Sequence, residues 1–213
     1  NLTEQDSKQL GQLAARVFTE KRLRAELLRS VASALTREDI DAAEWWYSSE
    51  LGRRITALEE RATSQRADIA ATKSKAAEAM AAASGTRQRQ VKALDEALRA
   101  SEQMSSVMLN MAVAVAYGIA KASNPVLTMD FKAVRTILAA QMEPVLAELS
   151  AEMPKLFALA YLTLKDEELG SYVEFNRSPA AVKFNNAIMD GMDRAFVQLS
   201  FQLGEEYVRS RER

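Results

Sequence analysis

Apolar and small residues recur in alternating steps of three and four along residues 91–119, and this spacing constrains the fold more than any other feature. The positions are Val91, Leu94, Leu98, Ser101, Ser105, Met108, Ala112, Val115 and Ile119. Such a series lies along one face of an α-helix and resembles the seam of a coiled coil. We therefore predict a long helix here, packed closely against a second helix.

The remainder of the chain has the composition of a helical protein. Among 213 residues there are only 7 glycines and 4 prolines, and residues of high helix propensity dominate. No segment shows a sustained alternation of apolar and polar residues, which a half-buried strand would require. We predict an all-α fold without a sheet, an elongated helical bundle folded as one domain over residues 1–213.

The seam belongs to a predicted antiparallel helical hairpin over about residues 50–123. Its upstream arm repeats small and apolar residues every seven positions, at Ile55, Ala62, Ile69 and Ala76. Gly85 is expected to end this arm, and Thr86 to cap the next. Arms of this length are too long for one compact domain to cover. Part of the alanine-rich upstream arm is therefore expected to be exposed or to pair with another chain.

Two residue types are absent from the sequence, which contains no cysteine and no histidine. Their absence excludes thiol and Ser-His-Asp catalysis, disulfides and the usual zinc sites. With 28 basic and 29 acidic residues the net charge is near zero, and this balance gives no reason to expect a nucleic-acid partner. We predict no cofactor, no metal ion and no catalytic residue.

A stretch of the chain is repeated without gaps at an offset of 129 residues, so that residues 26–55 align with residues 155–184. Few residues are identical, but apolar, acidic and basic positions keep their places. The aligned pairs include Asp39 with Glu168, Trp46 with Phe175, Ser49 with Ser178, and Arg54 with Lys183. An internal duplication predicts two helix–break–helix units flanking the hairpin. The alternative is a chance agreement of two amphipathic helices.

Helix boundaries can be read from cap residues. Thr36 begins a capping-box pattern, and Ser49 and Ser178 are expected to cap the second helix of each repeat unit. Thr128 is a further predicted cap. Pro144 and Pro154 are expected to kink or restart the helices in which they lie.

The repeated phrase resembles a family of mostly secreted or periplasmic Gram-negative bacterial proteins, catalogued as domain of unknown function number twenty fifty-nine. Its signature is similar to E-L-x5-F-Y-x-S-P-x-G-x-K. The first copy matches at Glu38, Asp39, Ile40, Trp46, Tyr47, Ser49, Gly52 and Arg54, and the second at Glu167, Glu168, Leu169, Phe175, Ser178, Pro179 and Lys183. Glu50, Asn176 and Ala181 depart from the pattern. The resemblance implies an all-α fold, and it brings no established activity.

The resemblance also implies export from the cytoplasm, with a periplasmic or secreted location. The chain opens on Asn1 rather than methionine, which fits the removal of a signal peptide or pro-segment. The uncharged segment 104–120 is only marginally long enough to span a bilayer. We therefore predict a buried core helix there and no transmembrane segment.

The aromatic and basic residues of the two copies form the candidate binding site. Trp45, Trp46 and Tyr47 are consecutive, so on a helix they point about 100° apart, and one of them can be exposed beside Arg53 and Arg54. Such a site would suit an anion, a glycan or a partner helix. The alternative is that the aromatic residues wedge two helices together. The candidate residues are Trp45, Trp46, Tyr47, Ser49, Arg53 and Arg54, with Phe175, Ser178 and Lys183.

These features predict a non-enzymatic binding or assembly module that uses helical surfaces for a protein partner or for self-association; the sequence identifies no small ligand. One alternative is a carboxylate-dependent hydrolase of cell-envelope material, in which Glu38 or Asp39 converges with Glu167 or Glu168. Another is a carrier of apolar ligands, which requires a cavity between the hairpin and the repeat units. Three methionines on one helix face could hold Cu(I), but such residues usually fill gaps in a core.

Overall fold

The computed structural model describes residues 4–64, 68–124, 126 and 130–211, and every regular element in these ranges is an α-helix. The helices are α1 (Glu4–Val17), α2 (Glu20–Ala34), α3 (Arg37–Ser48), α4 (Glu50–Ser64), α5 (Ile69–Ala82), α6 (Gly85–Leu98), α7 (Ala100–Ser123), α8 (Phe131–Ala160), α9 (Asp166–Arg177) and α10 (Pro179–Arg211). The predicted all-α fold is confirmed. Thr128, predicted as a cap, lies outside the described residues.

The predicted hairpin arms are not continuous helices. The upstream arm consists of α4 and α5, with residues 65–67 outside the described part, and the downstream arm consists of α6 and α7. Arg99 separates α6 from α7 in a left-handed conformation with φ 49°. The Asp95 carboxylate accepts hydrogen bonds from the backbone N–H of Ser101 at 2.8 Å and from its hydroxyl at 2.7 Å. This local cap replaces the continuous helix predicted over residues 91–119.

The turn between the predicted arms lies near Ser84, but its residues have roles that differ from the predicted ones. Ser84 is the N-cap of α6, and its hydroxyl accepts a hydrogen bond from the Arg87 backbone N–H at 3.1 Å. Gly85 is the first residue of α6, and no described glycine has a positive φ. The expectation that Gly85 ends the upstream arm and that Thr86 caps the next is therefore wrong. A serine one residue earlier supplies the cap.

Helix α8 runs through both of its internal prolines, Pro144 and Pro154. A proline removes one i→i−4 hydrogen bond, and the remaining bonds of a 30-residue helix keep it continuous here. Of the two expected outcomes, a kink or a restart, the restart is wrong and the kink stays a prediction.

The chain divides into two compact units. Unit 1 comprises residues 1–33, 104–146 and 187–213, and unit 2 comprises residues 34–103 and 147–186. Compact units within a chain can fold together or separately. The single domain over residues 1–213 therefore stays a prediction.

The core of unit 2 forms where α6 packs against α9. Its most deeply buried side chains are Ile55, Val91, Leu94 and Leu169, each 0% exposed. Arg87, on α6, donates to the Asp166 carboxylate at 2.6 Å and to the carbonyl of Tyr161 at 2.9 Å. The core and these polar contacts fix α9, which carries the second copy of the repeated phrase.

Unit 1 has two smaller clusters of buried side chains. One contains Leu13, Leu203 and Tyr207, and the other contains Leu109, Val113 and Val134. Helices α7 and α10 come close at two glycines. A Cβ on Gly118 would lie 2.2 Å from the Phe201 carbonyl oxygen, and one on Gly204 would lie 2.3 Å from the Val115 carbonyl oxygen. Glycine is therefore required at this crossing.

Helix α7 is the one helix among the described residues that is long and apolar enough to cross a membrane, judged by length and composition. Its most apolar window has a mean hydropathy of 1.3, and 28% of that window is buried. Within unit 1 its buried residues are Val107, Leu109, Val113, Ala114 and Gly118. A core helix passes the same test of length and composition, so the absence of a transmembrane segment stays a prediction.

Candidate functional site

The candidate binding residues lie at two helix junctions in unit 2. At the first junction, Ser49 has an extended backbone with φ −66° and ψ 161° and separates α3 from α4. Its N–H donates to the Trp46 carbonyl at 3.0 Å, which ends α3. Its hydroxyl accepts from the Gly52 N–H at 3.0 Å, which begins α4. One serine therefore ends one helix and caps the next, as the sequence predicts.

The second junction repeats this geometry at Ser178, between α9 and α10. Ser178 has φ −66° and ψ 145°, and its N–H donates to the Phe175 carbonyl at 2.9 Å. Its hydroxyl accepts from the Ala181 N–H at 3.3 Å. Helices α3 and α9 both contain 12 residues. Both predicted helix–break–helix units are therefore formed; their origin by duplication stays a prediction.

Aromatic rings from the two copies stack on one another. The rings of Trp46 and Phe175, which are aligned positions in the repeat, lie 4.4 Å apart between centroids with an interplanar angle of 5°. Tyr47 meets Phe175 edge-on at 5.8 Å and contacts Phe184 at 5.7 Å. Trp46 is 8% exposed, and its Nε1 is buried without a hydrogen-bond partner among the described residues. These rings hold the two junctions together.

Two ion pairs connect the copies reciprocally. Lys183 Nζ lies 3.1 Å from Asp39 Oδ1, and Arg54 Nη2 lies 2.6 Å from Glu168 Oε2. In the repeat, Asp39 aligns with Glu168 and Arg54 aligns with Lys183, so the acid of each copy binds the base of the other. Reciprocal contacts of this kind are characteristic of a two-fold interface, in which i contacts j and j contacts i. We call this arrangement the paired junction.

The two acids of the paired junction also cap their own helices. Asp39 accepts hydrogen bonds from the backbone N–H and the hydroxyl of Thr36, and these bonds, with Lys183, hold the pKa of that carboxyl below its ordinary value. The hydrogen bond from Arg54, followed by that from the Lys165 N–H, lowers the pKa of Glu168 in the same way. Both carboxylates are ionised near neutral pH.

The structure brings most of the predicted site residues together, but in packing and capping positions. The rings of Trp46 and Tyr47 both contact the ring of Phe175, and Ser49 and Ser178 are caps. Arg54 and Lys183 are engaged in the reciprocal ion pairs. Trp45 is 75% exposed and Arg53 is exposed, so these two remain open to solvent. A binding role for the nine residues stays a prediction.

A cluster of three tyrosines around Glu59 lies beside the aromatic stack and was not identified from the sequence. The hydroxyls of Tyr161 and Tyr172 donate to Glu59 Oε1 at 2.7 and 2.9 Å. Burial, with the nearby Glu59 carboxylate, raises the pKa of Tyr47 to about 12. Burial also raises the pKa of Tyr161 and that of Tyr172 well above the ordinary value. All three phenols stay protonated at neutral pH, so the two donors keep their hydrogen bonds to Glu59.

The paired junction lacks the chemistry of a general acid. Hydrolysis by a carboxylate pair requires one acid whose pKa is raised, so that it carries a proton near neutral pH. Asp39 and Glu168 both have lowered pKa values and each binds a cation. In the described part of the chain, no group of three or more Asp or Glu side chains is arranged to hold a metal ion. Asp39 and Glu168 therefore do not fit the general-acid role that the hydrolase alternative requires.

Fold and site together define an all-α protein in which two serine-capped helix junctions are stacked face to face. Residues 21–93 match the family model described as "Uncharacterized protein conserved in bacteria (DUF2059)". The family resemblance predicted from the repeated phrase is confirmed for this segment, which contains the first junction and ends before the second. No match is found among curated proteins or among solved structures.

Proposed function

We propose that the chain is an exported bacterial assembly module without catalytic activity, which associates with a second copy of itself through the outer face of α8. The observation that carries the proposal is an apolar stripe on the part of α8 that belongs to unit 1. Ile137 on this stripe is 52% exposed. Ile137 is the large apolar side chain of the stripe, and an exposed apolar stripe on one helix face can serve as an interaction surface.

The stripe has the spacing of a helix-pairing seam. Ala133, Ile137, Ala140 and Pro144 follow one another in steps of four, three and four, and all are exposed. The opposite face of α8 packs within unit 1 at Leu138 and Met142, which lie against the core cluster that contains Val134. Apolar residues at this spacing form one side of a coiled coil, and small residues between larger ones allow a close approach. We call these four residues the α8 seam.

An antiparallel α8 from a second copy complements the seam in shape. When the two helices cross between Ile137 and Ala140, each Ile137 faces Ala140 of the second copy, and each Ala133 faces Pro144. A large residue then meets a small one, and the contact is isologous, as in a two-fold dimer. An in-register parallel pair does not give this pairing, because Ile137 would then face itself.

Charge complementarity also favours a second copy. Lys132 and Glu143 flank the α8 seam on the same side, and both are exposed. Neither forms an ion pair with another described residue. In the antiparallel pair, Lys132 lies near Glu143 of the second copy, and the contact occurs twice. Interhelical ion pairs at such flanking positions select partner and orientation.

Sedimentation equilibrium on charge-exchange variants tests this proposal. We expect the wild-type chain to form a dimer, and we expect Lys132→Glu and Glu143→Lys each to weaken it, because like charges then face one another. The double variant Lys132→Glu/Glu143→Lys restores opposite charges and should recover the dimer. Ile137→Glu should give a monomer with unchanged helical circular dichroism.

The control is Leu28→Glu, which introduces the same charge at an exposed leucine of a different helix, α2. It should leave the dimer intact. A wild-type chain that is monomeric at all concentrations would refute the proposal, and so would a double exchange that fails to restore association.

Export is the part of the proposal that rests on the family resemblance. Expression of the complete gene in a Gram-negative host, followed by fractionation, checks it directly. We expect the protein in the periplasm or the medium. Retention in the cytoplasm would refute export and would not affect the proposed assembly role.

A further inference from the structure

A surface cavity of about 230 Å³ lies in unit 2, and no residue of the paired junction lines it. Its walls come from α4, α5, the end of α8 and the turn that follows α8. The apolar lining includes Leu58, Leu156, Leu159 and Leu162. Leu162 is 57% exposed, although it is a large apolar side chain beside a concave surface. The cavity thus leaves apolar surface exposed to solvent.

The polar lining of the cavity is cationic. Arg61 from α4 and Lys75 from α5 both line it, and the described lining residues include no carboxylate. Neither cation forms an ion pair with another described residue. Most other basic residues of unit 2, such as Arg54 and Lys73, form an ion pair with an acid. Two unpaired cations beside four leucines therefore distinguish this cavity electrostatically.

Hydrogen bonds outside the cavity hold its walls in place. Tyr161, in the turn that follows α8, donates to Glu59 of α4 at 2.7 Å. Lys73 of α5 binds Glu148 of α8 at 2.6 Å. The first contact joins the turn to α4, and the second joins α8 to α5. Both favour a preformed cavity, which reduces the entropy cost of binding.

We propose that this cavity binds an anionic single-chain amphiphile, with the tail on the leucines and the charged head at Arg61 and Lys75. The cavity volume of about 230 Å³ lies below the range of about 300–1,000 Å³ that is typical of pockets for drug-sized ligands. This small volume favours a short single tail, so octanoate is a suitable probe. This site is independent of the α8 seam.

An NMR titration of the 15N-labelled full chain with octanoate tests the proposal. Octanoate should shift the backbone resonances of residues that line the cavity, in a saturable way. Octyltrimethylammonium, which has the same tail and the opposite charge, should bind far more weakly, and acetate should not bind. Octyl phosphate distinguishes the two sources of an anionic head: tighter binding than octanoate indicates a phospholipid-type head, and weaker binding a free fatty acid.

Two sets of variants separate the roles of head and tail. Arg61→Gln/Lys75→Gln should weaken octanoate about tenfold or more, because charge-assisted hydrogen bonds are lost, and should leave octanol binding unchanged. Leu162→Gln should weaken both ligands. Lys92→Gln is the matched control, because Lys92 is an exposed cation of α6 in unit 2 that does not line the cavity.

The proposal fails if octanoate shifts no cavity resonance at millimolar concentration. It also fails if Arg61→Gln/Lys75→Gln binds octanoate as well as the wild type does. Equal binding of octanoate and octyltrimethylammonium would likewise overturn it, because the cations would then have no role.

Discussion

At the scale of single residues, two adjacent tryptophans differ sharply in their surroundings. Trp46 stacks on Phe175 at 4.4 Å and is 8% exposed, whereas Trp45 is 75% exposed. Helical geometry predicts that neighbouring side chains diverge, but it does not say which one enters the core. That choice depends on α9, more than a hundred residues away in sequence. The sequence therefore identified the cluster and could not assign its members to packing or to solvent.

Alanine at each tryptophan measures this difference. Trp46→Ala removes a buried ring and should cost about 3–5 kcal/mol in the free energy of unfolding. Trp45→Ala removes an exposed ring and should change that free energy by less than about 0.5 kcal/mol. Urea denaturation followed by circular dichroism gives both values. A loss for Trp46→Ala as small as the one expected for Trp45→Ala would mean that the paired junction does not depend on the Trp46 stack.

At the scale of helices, the caps that depend on neighbouring residues were predicted, and the contacts between distant segments were not. Thr36, Ser49 and Ser178 act as caps because capping depends on residues within three positions. The break at Arg99 was missed, since a left-handed arginine has no sequence signature and is held here by the cap between Asp95 and Ser101. The hydrogen bonds from Tyr161 and Tyr172 to Glu59, like the reciprocal ion pairs, join distant segments. A single sequence contains no record of such pairs.

The acids that cap α3 and α9 should make stability depend on pH. The pKa values of Asp39 and Glu168 are lowered in the folded chain from ordinary values of 3.8 and 4.5. Their contribution to stability is therefore fully present above these ordinary values, and it is lost as the pH falls through the folded-state pKa values. Asp39→Asn and Glu168→Gln should each be less stable than the wild type at pH 7.

The difference between wild type and variant should begin to shrink as the pH falls below the ordinary values of 3.8 and 4.5, and should disappear below the folded-state pKa values, where the folded wild-type carboxylates are protonated as well. Urea midpoints at a series of pH values measure this convergence. Glu38→Gln is the control, because Glu38 lies in the same turn as Asp39 but is exposed and makes no contact with Lys183. A constant difference down to pH 2 would show that the charges of Asp39 and Glu168 are not what stabilises the paired junction.

At the scale of the whole molecule, neither compact unit is a continuous piece of chain. Unit 1 is built from three separate segments and unit 2 from two. The two segments of unit 2 are joined through residues 104–146, which belong to unit 1. Folding of unit 2 must therefore close a long loop, and closure costs less entropy when the intervening segment is itself folded. This connectivity favours cooperative folding of the two units.

Cooperative folding can be measured because both tryptophans lie in unit 2. Tryptophan fluorescence therefore reports on unit 2 alone, while far-ultraviolet circular dichroism reports on the helices of both units. We expect one transition in urea with the same midpoint by both probes, which is the standard test of two-state unfolding. It would support the single domain over residues 1–213. A fluorescence midpoint that differs from the dichroism midpoint would instead mean that the units unfold separately, because only unit 2 changes the tryptophan signal.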